Sequence, residues 1–258
     1  MSKKKPLILV TNDDGITAPG IRTLIEVMNA FGEVVVVAPD APQSAMGHAI
    51  TINDTLYCNR IIIDKKAPQK EYSCSGTPVD CVKIAINELL DRKPDLCVSG
   101  VNHGSNPSIN VFYIGIISAA LKGGTVGIPS MGFSLLDYAL DADFEPAKKY
   151  IKLMVEQCLT KGLPPGVVLN VNIPKLQENE IKGVKVCRQA DAYWQESFDK
   201  RKSPLGRDYY WLTGKFINKD KGEDTDEWAL ANGYVSVVPV QFDLTAHHAI
   251  KDINTWDL

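Results

Sequence analysis

No apolar run in this 258-residue chain approaches the ~20 residues needed to span a bilayer, so no membrane-spanning helix is expected. The opening Met1–Pro6 is basic through Lys3-Lys4-Lys5, but the apolar stretch behind it stops at Asp13, too soon for a secretory signal. An excess of either charge is also missing: 28 Lys and Arg face 31 Asp and Glu, and a net charge of −3 gives no electrostatic reason to bind a nucleic-acid polymer or a membrane surface. The six cysteines, Cys58, Cys74, Cys81, Cys97, Cys158 and Cys187, contain no C-x-x-C pair. Cys81, Cys97 and Cys158 sit in apolar segments as core filler, and a chain of this size does not need disulfide staples. A soluble cytoplasmic protein with reduced thiols is the expectation. Three catalytic fingerprints are absent as well. Without a Walker A loop or G-x-G-x-x-G, a P-loop NTPase or dinucleotide oxidoreductase is disfavoured; without G-x-S-x-G, so is a Ser-His-Asp hydrolase.

What is present is alternation. Strand-like and helix-like segments succeed one another over the first ~190 residues, which predicts βαβ units and a mostly parallel sheet. Leu7–Val10 reads as the first strand, and Gly20–Phe31 as a helix with Ile21, Leu24, Ile25 and Met28 on one face. The β-branched run Val34–Val37 suits a strand covered on both faces. Thr77-Pro78-Val79-Asp80 carries a cap, a proline and an acid, and opens a helix ending near Pro94. Leu96–Val98 and Val167–Asn172 read as further strands, and Glu145–Thr160 as a helix stopped by Gly162. After Gln189 the texture changes: Tyr193, Trp194, Tyr209, Tyr210 and Trp211 cluster among charged and turn residues, which fits either a protein–protein contact or a local aromatic core. Tyr234–Pro239 then reads as a strand returning to the fold. One domain over 1–258, with 190–245 as a protruding arm, is the expected organisation.

Three strand ends carry the chemistry. The first runs into Asn12-Asp13-Asp14-Gly15, the second into Pro39 to His48, and the third into Ser99 to Asn106. In an open parallel sheet, ligands bind where strands end. Adjacent carboxylates there repel unless a cation or proton lies between them, although an ordinary turn has the same composition. The candidate donors are carboxylates, a serine hydroxyl and an asparagine carbonyl, an oxygen set that suits Mg²⁺, Mn²⁺ or Ca²⁺ rather than zinc. Gly100 and Gly104 allow backbone to approach a ligand, and Asn110–Gly115 leads into a helix whose N-terminus can receive a phosphate. An aspartyl-phosphate phosphatase would want its two acids separated by one residue, whereas Asp13 and Asp14 are adjacent. His48 and His103 flank this set, as leaving-group acids or as plain loop residues; His247-His248, far along the chain, read as structural or interfacial.

Thr11-Asn12-Asp13-Asp14-Gly15, Gln43-Ser44-x-x-Gly47-His48-x-x-Thr51, Ser75-Gly76-Thr77-Pro78-x-Asp80-Cys81-Val82 and Ser99-Gly100-x-Asn102-x-Gly104-x-Asn106 together resemble the SurE (survival protein E) nucleotidase family, in order and spacing across the chain. The resemblance implies a Rossmann-like three-layer α/β/α sandwich with a mostly parallel sheet and a C-terminal arm exchanged between subunits in a homodimer or homotetramer. It implies a phosphomonoesterase acting on nucleoside 5′- and 3′-monophosphates, and on short polyphosphate in some relatives. One divalent metal ion per subunit, magnesium or manganese, falls to Asp13, Asp14, Ser44 and Asn102. Asp13 and Asp14 also take the catalytic role, and Asn12, Gly104, Asn106 and Gly115 line the substrate.

One stretch departs from the family pattern. Where relatives carry Tyr-Ser-Gly-Thr and, further on, Glu-Gly, this chain has Tyr113-Ile114-Gly115-Ile116, and Lys122-Gly123. Two hydroxyls of the phosphate grip are thereby isoleucines. The alternative this raises is a metal- and nucleotide-binding homologue with weak or no phosphatase activity.

Overall fold

The computed structural model describes residues 5–104, 106–139 and 141–256; Lys3 and Lys4 of the basic opening, and Ser105 in the third loop, lie outside them. The first half contains β1 (Leu7–Thr11), α1 (Pro19–Met28), β2 (Glu33–Pro39), β3 (Cys58–Ile61), β4 (Lys70–Cys74), α2 (Pro78–Ile84) and β5 (Leu96–His103). The second contains α3 (Gly115–Thr125), β6 (Ser130–Leu135), α4 (Ala147–Lys161), β7 (Val167–Ile173), β8 (Val184–Val186), β9 (Ala192–Lys202), β10 (Asp208–Asn218), α5 (Asp226–Ala231), β11 (Val235–Gln241) and α6 (His247–Ile253).

Nine strands form one sheet in the order β3-β4-β2-β1-β5-β6-β7-β11-β8. Within this sheet, among the described residues, only the β3–β4 and β7–β11 pairings are antiparallel. Alternate side chains of each central strand go to opposite faces, and both faces are apolar. Ile8, Val10, Val34, Val36, Leu96 and Val98 pack with α1 and α4. Leu7, Leu9, Val35, Val37 and Cys97 pack with Cys81 and Val82 of α2 and Ala119 of α3. Helices therefore cover both faces, and the sandwich has three layers.

Local chemistry sets the helix ends. Thr77 and Asp80 form a reciprocal capping box at the start of α2: the Thr77 hydroxyl accepts from Asp80 N at 3.2 Å, and Asp80 Oδ2 accepts from Thr77 N at 3.1 Å. The helix loosens into a π-helical turn over Ala85–Leu89 and stops at Leu90, short of the predicted Pro94. Helix α4 ends at Gly162, whose φ of 74° a side chain would resist.

Within 190–245, strands β9 and β10 form a separate two-stranded sheet, paired from Ala192↔Asn218 to Asp208↔Lys202. Helix α5 and strand β11 belong to the main body: β11 lies between β7 and β8, with Val235 and Val237 in the core.

Candidate functional site

Strands β1 and β5 are neighbours at the centre of the sheet. From β1 the chain passes by α1 over one face to β2; from β5 it passes by α3 over the other face to β6. Such a change of side opens a crevice at the carboxyl ends of the two strands. Asn12 Nδ2 donates to Gly15 O at 2.8 Å, folding the turn after β1, and Gly15 takes a φ of 98° there. Gln43 N donates to Asp13 O at 2.7 Å, which ties the loop carrying exposed Ser44 to the turn. The third segment is not the loop predicted after Val98. Strand β5 continues to His103, with an irregularity between Ser99 and Asn102 and a φ of 136° at Gly100. Asn102 Nδ2 donates to Gly104 O at 2.9 Å, so the other end of its amide, the carbonyl oxygen, is the acceptor it can offer.

The N-terminus of α3 meets the same crevice. Gly115 N donates to Asp13 Oδ2 at 3.1 Å. A Cβ on Gly115 would lie 2.8 Å from Asp13 Cβ and 2.9 Å from Pro78 Cγ, so no other residue fits without a shift. Asp13 is 1% exposed, and its second oxygen, Oδ1, has no hydrogen-bond partner. Burial first, then the charge of Asp14, push the Asp13 carboxyl up to about 7, against the Gly115 N–H. Half-buried Asp14 is also raised by burial, opposed by His103 N, which donates to its Oδ2 at 3.2 Å. Among the described residues, no three of His, Cys, Asp and Glu gather in a metal-binding group anywhere. The two carboxylates are held by backbone N–H groups of Gly115 and His103, and a hard divalent cation is a partner that would satisfy the orphaned Asp13 oxygen and offset both charges.

Asn106 is fully buried. Its N–H donates to Asn172 Oδ1 at 2.8 Å and its carbonyl accepts from Asn170 Nδ2 at 2.8 Å, while neither end of its own amide has a partner. Asn170 and Asn172 were not foreseen as part of the site. The signal was in the run Val-Leu-Asn-Val-Asn-Ile: two asparagines at i and i+2 share one face of an otherwise apolar strand. Polar residues continue across the sheet on that face, where Asn102, Ser134, Asn172 and Ser236 are successive Cα partners on β5, β6, β7 and β11. The strand ends under α3 are therefore polar and buried, whereas the middle of the sheet is apolar.

Other sequence candidates separate from the crevice. Ile116 is fully buried, and its Cγ2 would lie 3.0 Å from a Cβ on Gly132, so it packs onto β6 as a core residue and not as a substrate contact. Ile114 is half-buried at the cap position of α3, which has no side-chain cap. Lys122 and His48 line a different cavity, of about 700 Å³, shared with Leu121, Phe242 and Leu244. His103 stays near, with its ring edge-on to Phe144 at 6.0 Å and its buried Nε2 unpartnered. His247 pairs with Asp243 at 2.7 Å at the start of α6.

Residues 8–196 match the family model described as Survival protein SurE. A 5′-nucleotidase SurE from Christiangramia forsetii is 71% identical over 258 residues, covering 100% of this chain and 99% of that one. The 5′-nucleotidase SurE of Bacteroides fragilis is 46% identical over 259 residues, with 100% of both chains covered. The crystal structure of the SurE protein from Aquifex aeolicus matches with a TM-score of 0.84 at 38% identity, over 96% of this chain and 98% of that chain. Fold, strand-end residues and full-length identity agree, and the chain belongs to the SurE family.

Proposed function

We propose that this chain is a divalent-metal-dependent phosphomonoesterase that hydrolyses nucleoside 5′-monophosphates, and also 3′-monophosphates and the terminal phosphate of short polyphosphate. The observation that carries the reading is the buried Asp13–Asp14 pair, with an unpartnered oxygen, at the switch point of a parallel sheet under a helix N-terminus. The names of its full-length relatives supply the nucleotide. Asp13, Asp14, Ser44 and Asn102 would hold one magnesium or manganese ion. When bound, that ion supplies Lewis-acid polarisation of the phosphoryl group and lowers the pKa of water. Each carboxylate accepts one backbone N–H, Asp13 from Gly115 and Asp14 from His103, and half-buried Asp14 is the one open to solvent and so the one that orients the attacking water. Backbone N–H groups in the first turn of α3 have no partner within the helix and face the anionic substrate. Asn12 and Asn106 offer the substrate their unpartnered amide atoms, and Gly104 contributes through its backbone at a φ of 109°, its Cβ side being filled by the Tyr138 ring.

The binding-only alternative has lost part of its basis, since Ile116 is a core residue and only Ile114 stands at the crevice edge. Among the described residues, no helix is long and apolar enough to cross a membrane. The enzyme works in the cytoplasm as a homodimer or homotetramer joined through the β9–β10 hairpin. Phosphate release from nucleoside monophosphates, measured with Mn²⁺ or Mg²⁺ and again after chelation, tests the function. Release that survives complete chelation refutes metal dependence, and no release with either ion refutes the phosphatase reading.

A further inference from the structure

Three cysteines meet at the β3–β4 edge of the sheet: Cys58 on β3, Cys74 at the end of β4 and Cys81 on α2. None is in a disulfide. Cys58 and Cys74 are Cα partners in the antiparallel β3–β4 pair. The next pair outward, Tyr57 and Ser75, is a hydrogen-bonded one, with Ser75 N donating to Tyr57 O at 2.9 Å. Bonded and non-bonded pairs alternate along an antiparallel ladder, so Cys58 and Cys74 form a non-bonded pair, the type whose Cα atoms lie roughly 4.5 Å apart. A disulfide spans Cα separations of roughly 4.4–6.8 Å. Both side chains point to the α2 face, where Cys74 packs with Cys81 and Val82 and Cys58 lies against that cluster.

The two thiols differ in reach and character. Cys58 is half-buried and accessible from the edge, whereas Cys74 is fully buried. Hydrogen bonding from Cys81 holds the Cys74 thiol down at about 7 despite burial, and burial together with Cys74 pushes Cys58 up to about 11. The inner sulfur is the better nucleophile at neutral pH, and the outer one is the sulfur an external reagent can touch.

We propose that Cys58 and Cys74 are a reversible dithiol–disulfide site that exchanges with small-molecule disulfides. Cys58, as thiolate, attacks one sulfur of RSSR, forming Cys58–S–S–R and releasing RS⁻, which takes a proton. The Cys74 thiolate then attacks the Cys58 sulfur; the Cys58–S–S–Cys74 bond forms, the bond to R breaks, and the second RS⁻ leaves with the electron pair. Two protein thiols are oxidised and one RSSR is reduced to two RSH. Cys81 supports the Cys74 thiolate and is not itself bridged. The bond fastens the edge strand to β4 at the residue whose carbonyl accepts from Asp40 N at 2.8 Å, where the Ser44 loop begins.

The full chain is incubated with excess oxidised glutathione at about pH 9.5, because the raised Cys58 thiol ionises to a useful extent only above the range of ordinary thiols. Remaining thiols are alkylated and the protein is digested without reductant for mass spectrometry. A linked pair of peptides carrying Cys58 and Cys74, released by dithiothreitol, is the expected product, with titratable thiols reduced by two from the original six. Cys58→Ser and Cys74→Ser each abolish the bridge, and Cys81→Ser retains it. The unsubstituted protein alone decides the matter if a variant fails to fold. Glutathione remaining on Cys58 with Cys74 unbridged, a Cys74–Cys81 bridge, or no loss of thiols overturns the proposal.

Discussion

The strand-end crevice and the β9–β10 hairpin break the burial rule in opposite directions. At the crevice, polar atoms are buried without partners: Asp13 Oδ1, Asn12 Oδ1 and both ends of the Asn106 amide. On the hairpin, large apolar side chains stand in solvent: Phe198 is 64% exposed, Trp211 59% and Leu212 62%. An unpaired buried charge destabilises the fold, and an exposed aromatic forgoes roughly 25 cal/mol for each Å² that burial would remove from water. Neither feature helps this chain to fold alone. The first asks for something small, charged and oxygen-binding, the second for a large apolar surface, and the two should respond to different perturbations.

The largest effect is expected at the carboxylates. On the proposed reading, Asp13→Asn and Asp14→Asn each remove a charge that a bound ion would need and should lower metal-dependent turnover by at least ~100-fold, the size seen when a key electrostatic group is lost. In the metal-free protein, Asp13→Asn removes a buried charge that burial and Asp14 both oppose. Its metal-free melting temperature should rise, by about 2–4 °C for each kcal/mol relieved. Near-parental activity in both variants would remove the metal from this position, and a lower melting temperature would show that Asp13 is already compensated.

On the hairpin, substitutions of the exposed aromatics should leave chemistry nearly unchanged and alter assembly. Buried aromatic anchors contribute about 2 kcal/mol or more each, so Tyr210→Ser or Trp211→Ser should weaken self-association about 30-fold on light scattering. A cleaner deletion removes 193–217, because Ala192 and Asn218 are already Cα partners. Extending the cut to Asp226 would unseat a buried carboxylate that accepts from Ser108 N at 2.7 Å and Ala190 N at 3.0 Å. A parent protein that is monomeric at micromolar concentration would show that the exposed hairpin aromatics anchor no oligomer.

A smaller loss is expected beneath the crevice. Asn172→Leu leaves the Asn106 N–H buried and unpaired, and a lost buried hydrogen bond costs about 1–3 kcal/mol. A fall in kcat/KM of about 20-fold, with divalent-ion affinity retained, would identify Asn172 as a positioning residue. Equal loss of metal binding would instead mean that the whole strand end has shifted.

The parts legible in the sequence are those where one physical signal dominates. Strands β1, β2 and β7 and helices α1 and α4 are apolar runs or clean helical stripes, and their predicted bounds lie within a few residues of those observed. Strand β6 was not foreseen because Ser130, Gly132 and Ser134 alternate with its apolar residues, small because α3 presses on that face: a Cβ on Gly132 would meet Ile117 Cδ1 at 2.5 Å. Strand β3 at the sheet edge and its neighbour β4 carry several polar residues and no clean apolar run, so neither announced itself as a strand. At the site, Asp13, Asp14 and Asn102 announce themselves by clustering after apolar runs. Asn170 and Asn172 do not, since a buried asparagine looks like any other until its partner 64–66 residues away is known. Ile116 looked like a lost hydroxyl, and only packing onto β6 reveals a core residue.

That packing decides the smallest of these predictions. Ile114 precedes Gly115, with φ −94° and ψ 132°, the extended geometry of a residue about to start a helix, and it contributes no cap. Serine at this position accepts from a first-turn N–H and places a hydroxyl at the edge of the crevice, whereas isoleucine does neither. One hydrogen bond to a charged phosphate oxygen contributes about 1.5–3 kcal/mol, so Ile114→Ser should raise kcat/KM on nucleoside monophosphates by about 10-fold. Ile116→Thr exchanges a packed side chain for a smaller, polar one and should give no gain of its own while lowering the melting temperature, as expected of a shortened core residue. The comparison is parent, each single variant and the pair, assayed together with Mn²⁺. If the gain appears only with Ile116→Thr, that hydroxyl reaches the phosphate after all; if Ile114→Ser gains nothing, the backbone N–H groups of α3 already suffice and the isoleucine is neutral.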